Sequence, residues 1–180
     1  YVLIFLYFAV GIMLISPDIM MIMGGRPYME AEYVMPPVML GCVCQFVYTM
    51  YVNVEQFKKK TIGMAIASVS AAAINYFLNY LLIPKYGYIA AAYTTLVSFM
   101  WLLGTHMFLV WRLGLSKTYP NKFILGIIGT AFVITVGINA LYSHTIIRYS
   151  ITFIYACILI FAVIRYKEQL LKLFRRKLSK

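Results

Sequence analysis

The stretch "TIGMAIASVSAAAINYFLNYLLIPKYG", residues 61–87, decides the fold. Residues 62–83 hold no charge, and as an α-helix they extend about 31 Å, the thickness of a hydrocarbon core. Around this run the chain repeats the pattern. Of its 180 residues 63% are hydrophobic and only 12% are charged, with a mean hydropathy of +0.85. A soluble domain carries roughly a quarter of its residues as charges, so the composition excludes a water-soluble globular class. Spans are expected at about 1–23, 33–54, 62–83, 89–110, 123–142 and 149–165. These runs are long and apolar on all sides, unlike the alternating ten-residue strands of a membrane barrel, so the expected class is an all-α polytopic membrane protein.

Charge gives the topology. Of the sixteen Lys and Arg residues, thirteen lie in the second loop (Lys58, Lys59, Lys60), the fourth loop (Arg112, Lys117, Lys122) and the tail from Arg165. The first, third and fifth loops hold Arg26, Lys85 and Arg148, one each. Six alternating spans put the thirteen on one face, which the positive-inside rule makes cytoplasmic, together with both termini. The net charge of +11 is therefore a membrane-orientation signal, and no nucleic-acid partner is expected. The tail "KEQLLKLFRRKLSK" spaces Leu170, Leu171, Phe174 and Leu178 among six basic residues, as in a helix on anionic headgroups or a solvated extension of the last span.

Within the third span Thr61, Ala65, Ser68, Ala72, Asn75 and Asn79 fall within about 40° of one line down the helix. Two amides on a small-residue face do not suit lipid, since unsatisfied amides in hydrocarbon cost several kcal/mol. Such a face either packs closely on a neighbouring helix or lines a cavity. Comparable lines occur on the second span (Gly41, Gln45, Tyr48, Glu55), the fourth (Ala91, Thr94, Thr95, Ser98, Thr105) and the first (Tyr7, Gly11, Asp18). The fifth and sixth spans show no such face and are expected to be peripheral. Candidate cavity residues are Gln45, Tyr48, Ser68, Asn75, Asn79, Thr95 and Ser98.

Asp18, after Pro17, is the one acidic residue well inside an apolar run. It reads as an ion-coupling carboxylate or as the N-cap of a short terminal helix. His106, a turn from the cytoplasmic end of its span, reads first as an interfacial side chain. Cys42, Cys44 and Cys157 fall within spans without metal-ligand spacing and read as buried thiols. No metal or cofactor is expected beyond coupling to H+ or Na+. The sequence contains no HExxH, GxSxG or phosphate-binding glycine loop, and an enzyme is not expected. The chain opens at Tyr1 inside an apolar run without a basic flank or cleavage site, so sequence upstream is expected.

The run "KKKTIGMAIASVSAAAINYFLNYLLIPKYGYIAAAYTTLVSF" resembles the C-terminal lobe of polysaccharide biosynthesis (O-antigen or capsule) flippases of the multidrug/oligosaccharidyl-lipid/polysaccharide exporter superfamily. The likeness lies in the order of basic residues and Thr61, Asn75, Asn79, "LIPKYG", then alanines and threonines. Upstream, Gly25, Tyr28 and Ala31 in "GGRPYMEAEYV" resemble the same family. It covers about residues 10–110, and Ala90 stands where the family usually has glycine. The resemblance implies the C-terminal lobe of a MATE-like two-lobed transporter. Residues 1–110 would be its four-helix part, 111–165 two further spans, and 166–180 a basic amphipathic tail.

It also implies a lipid-linked oligosaccharide as cargo, export by alternating access across a bacterial inner membrane, and a separate N-terminal lobe as partner. Lipid II flippases, drug/cation antiporters of the same superfamily and non-transport components of polysaccharide assembly are the alternatives. The charge pattern makes one immediate prediction. Reporters fused after Lys180 are expected to be active only when the reporter works in the cytoplasm; activity of an exported reporter there would overturn the six-span topology.

Overall fold

The computed structural model describes the backbone of residues 1–178 and the side chains of residues 1–165. The described residues contain no strand. The helices are α1 (Val2–Gly24), α2 (Met35–Phe57), α3 (Thr61–Tyr86), α4 (Ile89–Arg112), α5 (Asn121–Leu141) and α6 (Thr145–Leu178), with a 3-10 segment, Arg26–Val34, between the first two. Six helical segments are long and apolar enough to cross a membrane. The chain is thus an all-helical, membrane-spanning protein. The amphipathic face expected of residues 166–180 lies outside the described side chains.

The chain divides into two compact units, residues 1–140 and 141–180. The core of the first is built by α1, α2, α4 and α5. Leu6 and Ala9 from α1 meet Leu40, Val43, Cys44, Val47 and Tyr51 from α2, Leu96, Leu103 and Val110 from α4, and Ile124 and Ile128 from α5. These α2 positions recur at helical spacing, so one stripe of the helix is fully enclosed. Phe5 stacks on Phe46 at 4.8 Å, joining α1 to α2. Gly41 sets the approach of α2 to α4: a Cβ there would lie 3.1 Å from Phe99 and 3.8 Å from the backbone of Leu96.

The structure differs from expectation at α5. It is no peripheral helix: Ile124, Ile127, Ile128, Ala131 and Thr135 are buried, and Thr135 Oγ1 lies 3.9 Å from Met13 Sδ of α1. Its seam is made of isoleucine and alanine, which a search for polar lines passes over. α3, by contrast, buries only Ala67 and Ala71 and stands outside the core cluster, packed on α4.

The two turns that follow α1 and α3 share one construction. Gly25 and Gly87 both have φ of 69°, a conformation open to glycine. Each amide donates to the carbonyl four residues back, Met21 at 3.1 Å and Ile83 at 2.8 Å. Each glycine carbonyl then accepts from the residue three ahead, Tyr28 and Ala90. Pro84 lies inside the last turn of α3, and Gly87 is the stop. Pro17 likewise lies inside a continuous α1, so Asp18 does not cap a separate helix.

In the second unit α6 exposes apolar groups over most of its circumference, among them Ile146, Phe153 and Phe161. The hydroxyls of Ser150 and Thr152 bond to the carbonyls of Ile146 and Arg148 four residues back, so neither needs an external partner. Cys157 is exposed, whereas Cys44 is buried and Cys42 half-buried. The expectation of three buried thiols therefore fails at Cys157, because α6 is covered on so little of its circumference within its own unit.

Enlarging Gly41 tests the central seam. Gly41→Val forces new methyls against Phe99 and is expected to destabilise the protein by about 1–3 kcal/mol, read by unfolding in detergent. A neutral result would show that α2 and α4 do not need this approach.

Candidate functional site

Three polar groups sit within the first unit. The first joins α3 to α4. Asn79 Nδ2 donates to Asn75 Oδ1 at 3.0 Å, Thr94 Oγ1 donates to Asn79 Oδ1, and Asn75 Nδ2 approaches Thr95 Oγ1 at 3.5 Å. Thr95 Oγ1 also donates to the carbonyl of Ala91 at 2.7 Å. A turn or two further along the same pair of helices, Trp101 Nε1 donates to Ser70 Oγ at 2.9 Å. Both asparagines are half-buried. Four of the polar residues picked from the sequence thus form one ladder, with Asn75 and Asn79 at its centre.

The remainder of the α3 line is different. Thr61, Ala65, Ser68 and Ala72 are exposed. The helix buries Ala67 and Ala71, and at 100° per residue the line of small and polar groups is centred about 100° around from that seam. Ser68 thus faces outward from the unit. Of the other candidates, Gln45 is exposed, Tyr48 and Thr95 are half-buried, and Ser98 is buried with its hydroxyl on the Thr94 carbonyl at 2.9 Å. Asp18 is half-buried in α1.

The second group ties α2 to the entry of α5. Tyr51 is fully buried and its hydroxyl donates to Asn121 Oδ1 at 2.7 Å. Tyr119 packs edge-on against that ring at 5.2 Å and donates to the Met50 carbonyl at 3.3 Å.

The third group was not anticipated as a pair. Glu55 of α2 and His106 of α4 are 1% and 2% exposed, and Nδ1 of the imidazole lies 2.8 Å from Oε1 of the carboxylate. Tyr48 lies over the imidazole, with ring centroids 5.5 Å apart and planes 15° from parallel. His106 is therefore not an interfacial side chain. Glu55 had appeared on the α2 line with Gly41, Gln45 and Tyr48, and His106 stands near the same end of α4. The available signal was an acid and a base each within about two turns of the basic end of their spans.

Glu55 is also part of the wall of a cleft of about 320 Å³ lined by Lys60, Gly63, Leu109, Arg112 and Leu113. Lys60 precedes α3 and Arg112 ends α4, so the second and fourth connections meet at one end of the bundle. That is the arrangement an antiparallel α3–α4 hairpin requires. Among the described residues no group of His, Cys, Asp and Glu could hold a metal ion.

The class these observations define is a polytopic helical membrane protein with polar contacts between its spans. No family model matches the chain, and neither the curated proteins nor the solved structures contain a match to it.

The asparagine ladder makes a measurable claim. Asn79→Ala is expected to cost about 1 kcal/mol, as interhelical hydrogen bonds in membranes do. In a double-mutant cycle with Thr94→Val, the two losses should fail to add; simple additivity would show that the pair does not interact.

Proposed function

We propose that this chain belongs to a transporter that moves a polar, lipid-linked oligosaccharide across a bacterial inner membrane, as part of a MATE-like C-terminal lobe. The observation that carries the reading is the exposed line Thr61, Ala65, Ser68 and Ala72 on α3. Within this unit nothing covers it, and hydrocarbon offers its hydroxyls no partner beyond their own helix's carbonyls. A water-lined path facing a second lobe supplies one.

Support also comes from the sequence order of basic residues, asparagines and "LIPKYG" described above. A sugar headgroup cannot cross hydrocarbon unaided, whereas its lipid tail can stay in the bilayer. The protein would then need only a polar path and two alternating openings. Asn75, Asn79 and Thr95 stand at the edge of that path, and Gln45, Tyr48 and Ser98 are the further lining candidates. Energy would come from an H+ or Na+ gradient, with Asp18 as the carboxylate for the ion. The thirteen basic residues favour a cytoplasmic C-terminus.

The test uses protein expressed from the full reading frame that encodes this chain, with Cys42, Cys44 and Cys157 replaced, reconstituted in vesicles. Labelled lipid-linked oligosaccharide is expected to reach the opposite leaflet with no chemical change. A water-soluble thiol reagent should block this at Ser68→Cys. Product formation without movement would sink the transport reading, and movement indifferent to labelled Ser68→Cys would take α3 out of the path.

A further inference from the structure

The cleft beside Glu55 gathers two cations at the basic end of the bundle. Lys60, immediately before α3, and Arg112, the last residue of α4, line it together with Gly63, Leu109 and Leu113. Both cations are exposed, and neither forms an ion pair among the described residues. α3 begins here with no side chain capping its first amides, and a helix start of that kind favours an anion. The cleft holds about 320 Å³, roughly ten times the volume one water occupies, which is room for a phosphate and a short alcohol.

Its height in the bilayer selects a lipid as the source of that phosphate. Lys60 and Arg112 stand just outside the apolar runs 62–83 and 89–110, on the face that carries thirteen of the sixteen basic residues, so the cleft lies at the level of the head groups. Leu109 and Leu113, one turn apart on α4, are its apolar side. Gly63 lets that side close on α3, because a Cβ there would lie 3.3 Å from Leu109 Cδ1. Basic pockets between spans on the cytoplasmic side suit anionic head groups.

The carboxylate in the wall narrows the choice of head group. Glu55 Oε1 lies 2.8 Å from His106 Nδ1, while Oε2 is buried and has no hydrogen-bond partner. An acceptor left in that state is costly, and a donor brought by a ligand relieves it. Against Lys60 and Arg112, the Glu55 carboxylate leaves one positive charge in excess, which matches a monoanionic diester better than a zwitterion or a dianion.

We propose that this cleft binds the head group of a monoanionic phosphodiester lipid whose alcohol carries hydroxyls, of the phosphatidylglycerol kind. Arg112 offers a planar fork of donors, and Lys60 a compact charge, to the phosphate oxygens. A hydroxyl of the head group donates to Glu55 Oε2, and the first methylenes of the lipid lie along Leu109 and Leu113. Occupancy ties the start of α3 to the end of α4, beside the place where Glu55 and His106 tie α2 to α4. The site rests on the membrane class of the chain and on its charge pattern, and it is independent of what the protein moves.

Native mass spectrometry of the full-length protein in mild detergent, titrated with single lipids, tests this. Phosphatidylglycerol is expected to bind about tenfold more tightly than phosphatidylcholine, a difference of about 1.4 kcal/mol. Lys60→Gln and Arg112→Gln should each lose most of that preference, whereas Lys117→Gln, which removes a charge on the same face outside the cleft, should keep it. Phosphatidylmethanol has the same charge but no hydroxyl on its alcohol, and it should bind several-fold more weakly than phosphatidylglycerol. Excess soluble glycerol phosphate should not displace the lipid. Equal binding of phosphatidylglycerol and phosphatidylcholine would overturn the proposal, as would a loss in Lys117→Gln as large as in Lys60→Gln. Equal binding of phosphatidylmethanol would overturn the assigned head group, and displacement by glycerol phosphate would overturn the lipid as its source. The lipid comparisons use the unsubstituted protein, so they decide even where a variant does not fold.

Discussion

Gly41 presents no side chain to Phe99, and that omission lets α2 lie against α4 along its length. The rest of the first unit is arranged around this contact. α1 reaches α2 through the Phe5–Phe46 stack, α5 is fastened through Tyr51 and Asn121, and α3 joins from outside by packing Ala67 and Ala71 on α4. In a bilayer, apolar side chains gain little from leaving lipid, so such contacts rely on close approach and on hydrogen bonds that lipid cannot offer. The small residues and the few polar ones are accordingly where the helices meet.

The polar groups along α4 do different work at its two ends. Near its start, Thr94 and Thr95 face Asn79 and Asn75 and fix the pairing with α3. Near its finish, His106 faces Glu55 and fixes the pairing with α2. The first set is neutral and its members satisfy one another. The second joins a carboxylate to an imidazole and leaves one carboxylate oxygen, Glu55 Oε2, without a hydrogen-bond partner.

The glycine turns show how little sequence is needed to set a hairpin. Gly25 and Gly87 adopt the same positive φ and the same pair of backbone bonds, although one leads into a 3-10 segment and the other directly into α4. Pro84, the more conspicuous residue, does not end its helix. Proline removes one donor, and α3 continues past that gap until glycine offers the left-handed conformation that lets the amide close back on Ile83.

What the sequence by itself determined was the membrane class, the six spans to within a few residues, the place of the turns and the polar line on α3. Each of these follows from local quantities: a run of apolar residues long enough for a bilayer, the alternation of Lys and Arg, and the 100° step of a helix. It did not disclose that α5 belongs to the core, because isoleucine and alanine look the same whether they face lipid or protein. Nor did it disclose the bond between Glu55 and His106. Those residues are 51 positions apart on non-consecutive helices, and only tertiary structure decides which spans are neighbours. The α3 line divided for the same reason: Asn75 and Asn79 found partners on α4, while Ser68, a turn or two earlier on the same line, lies where α4 does not cover it.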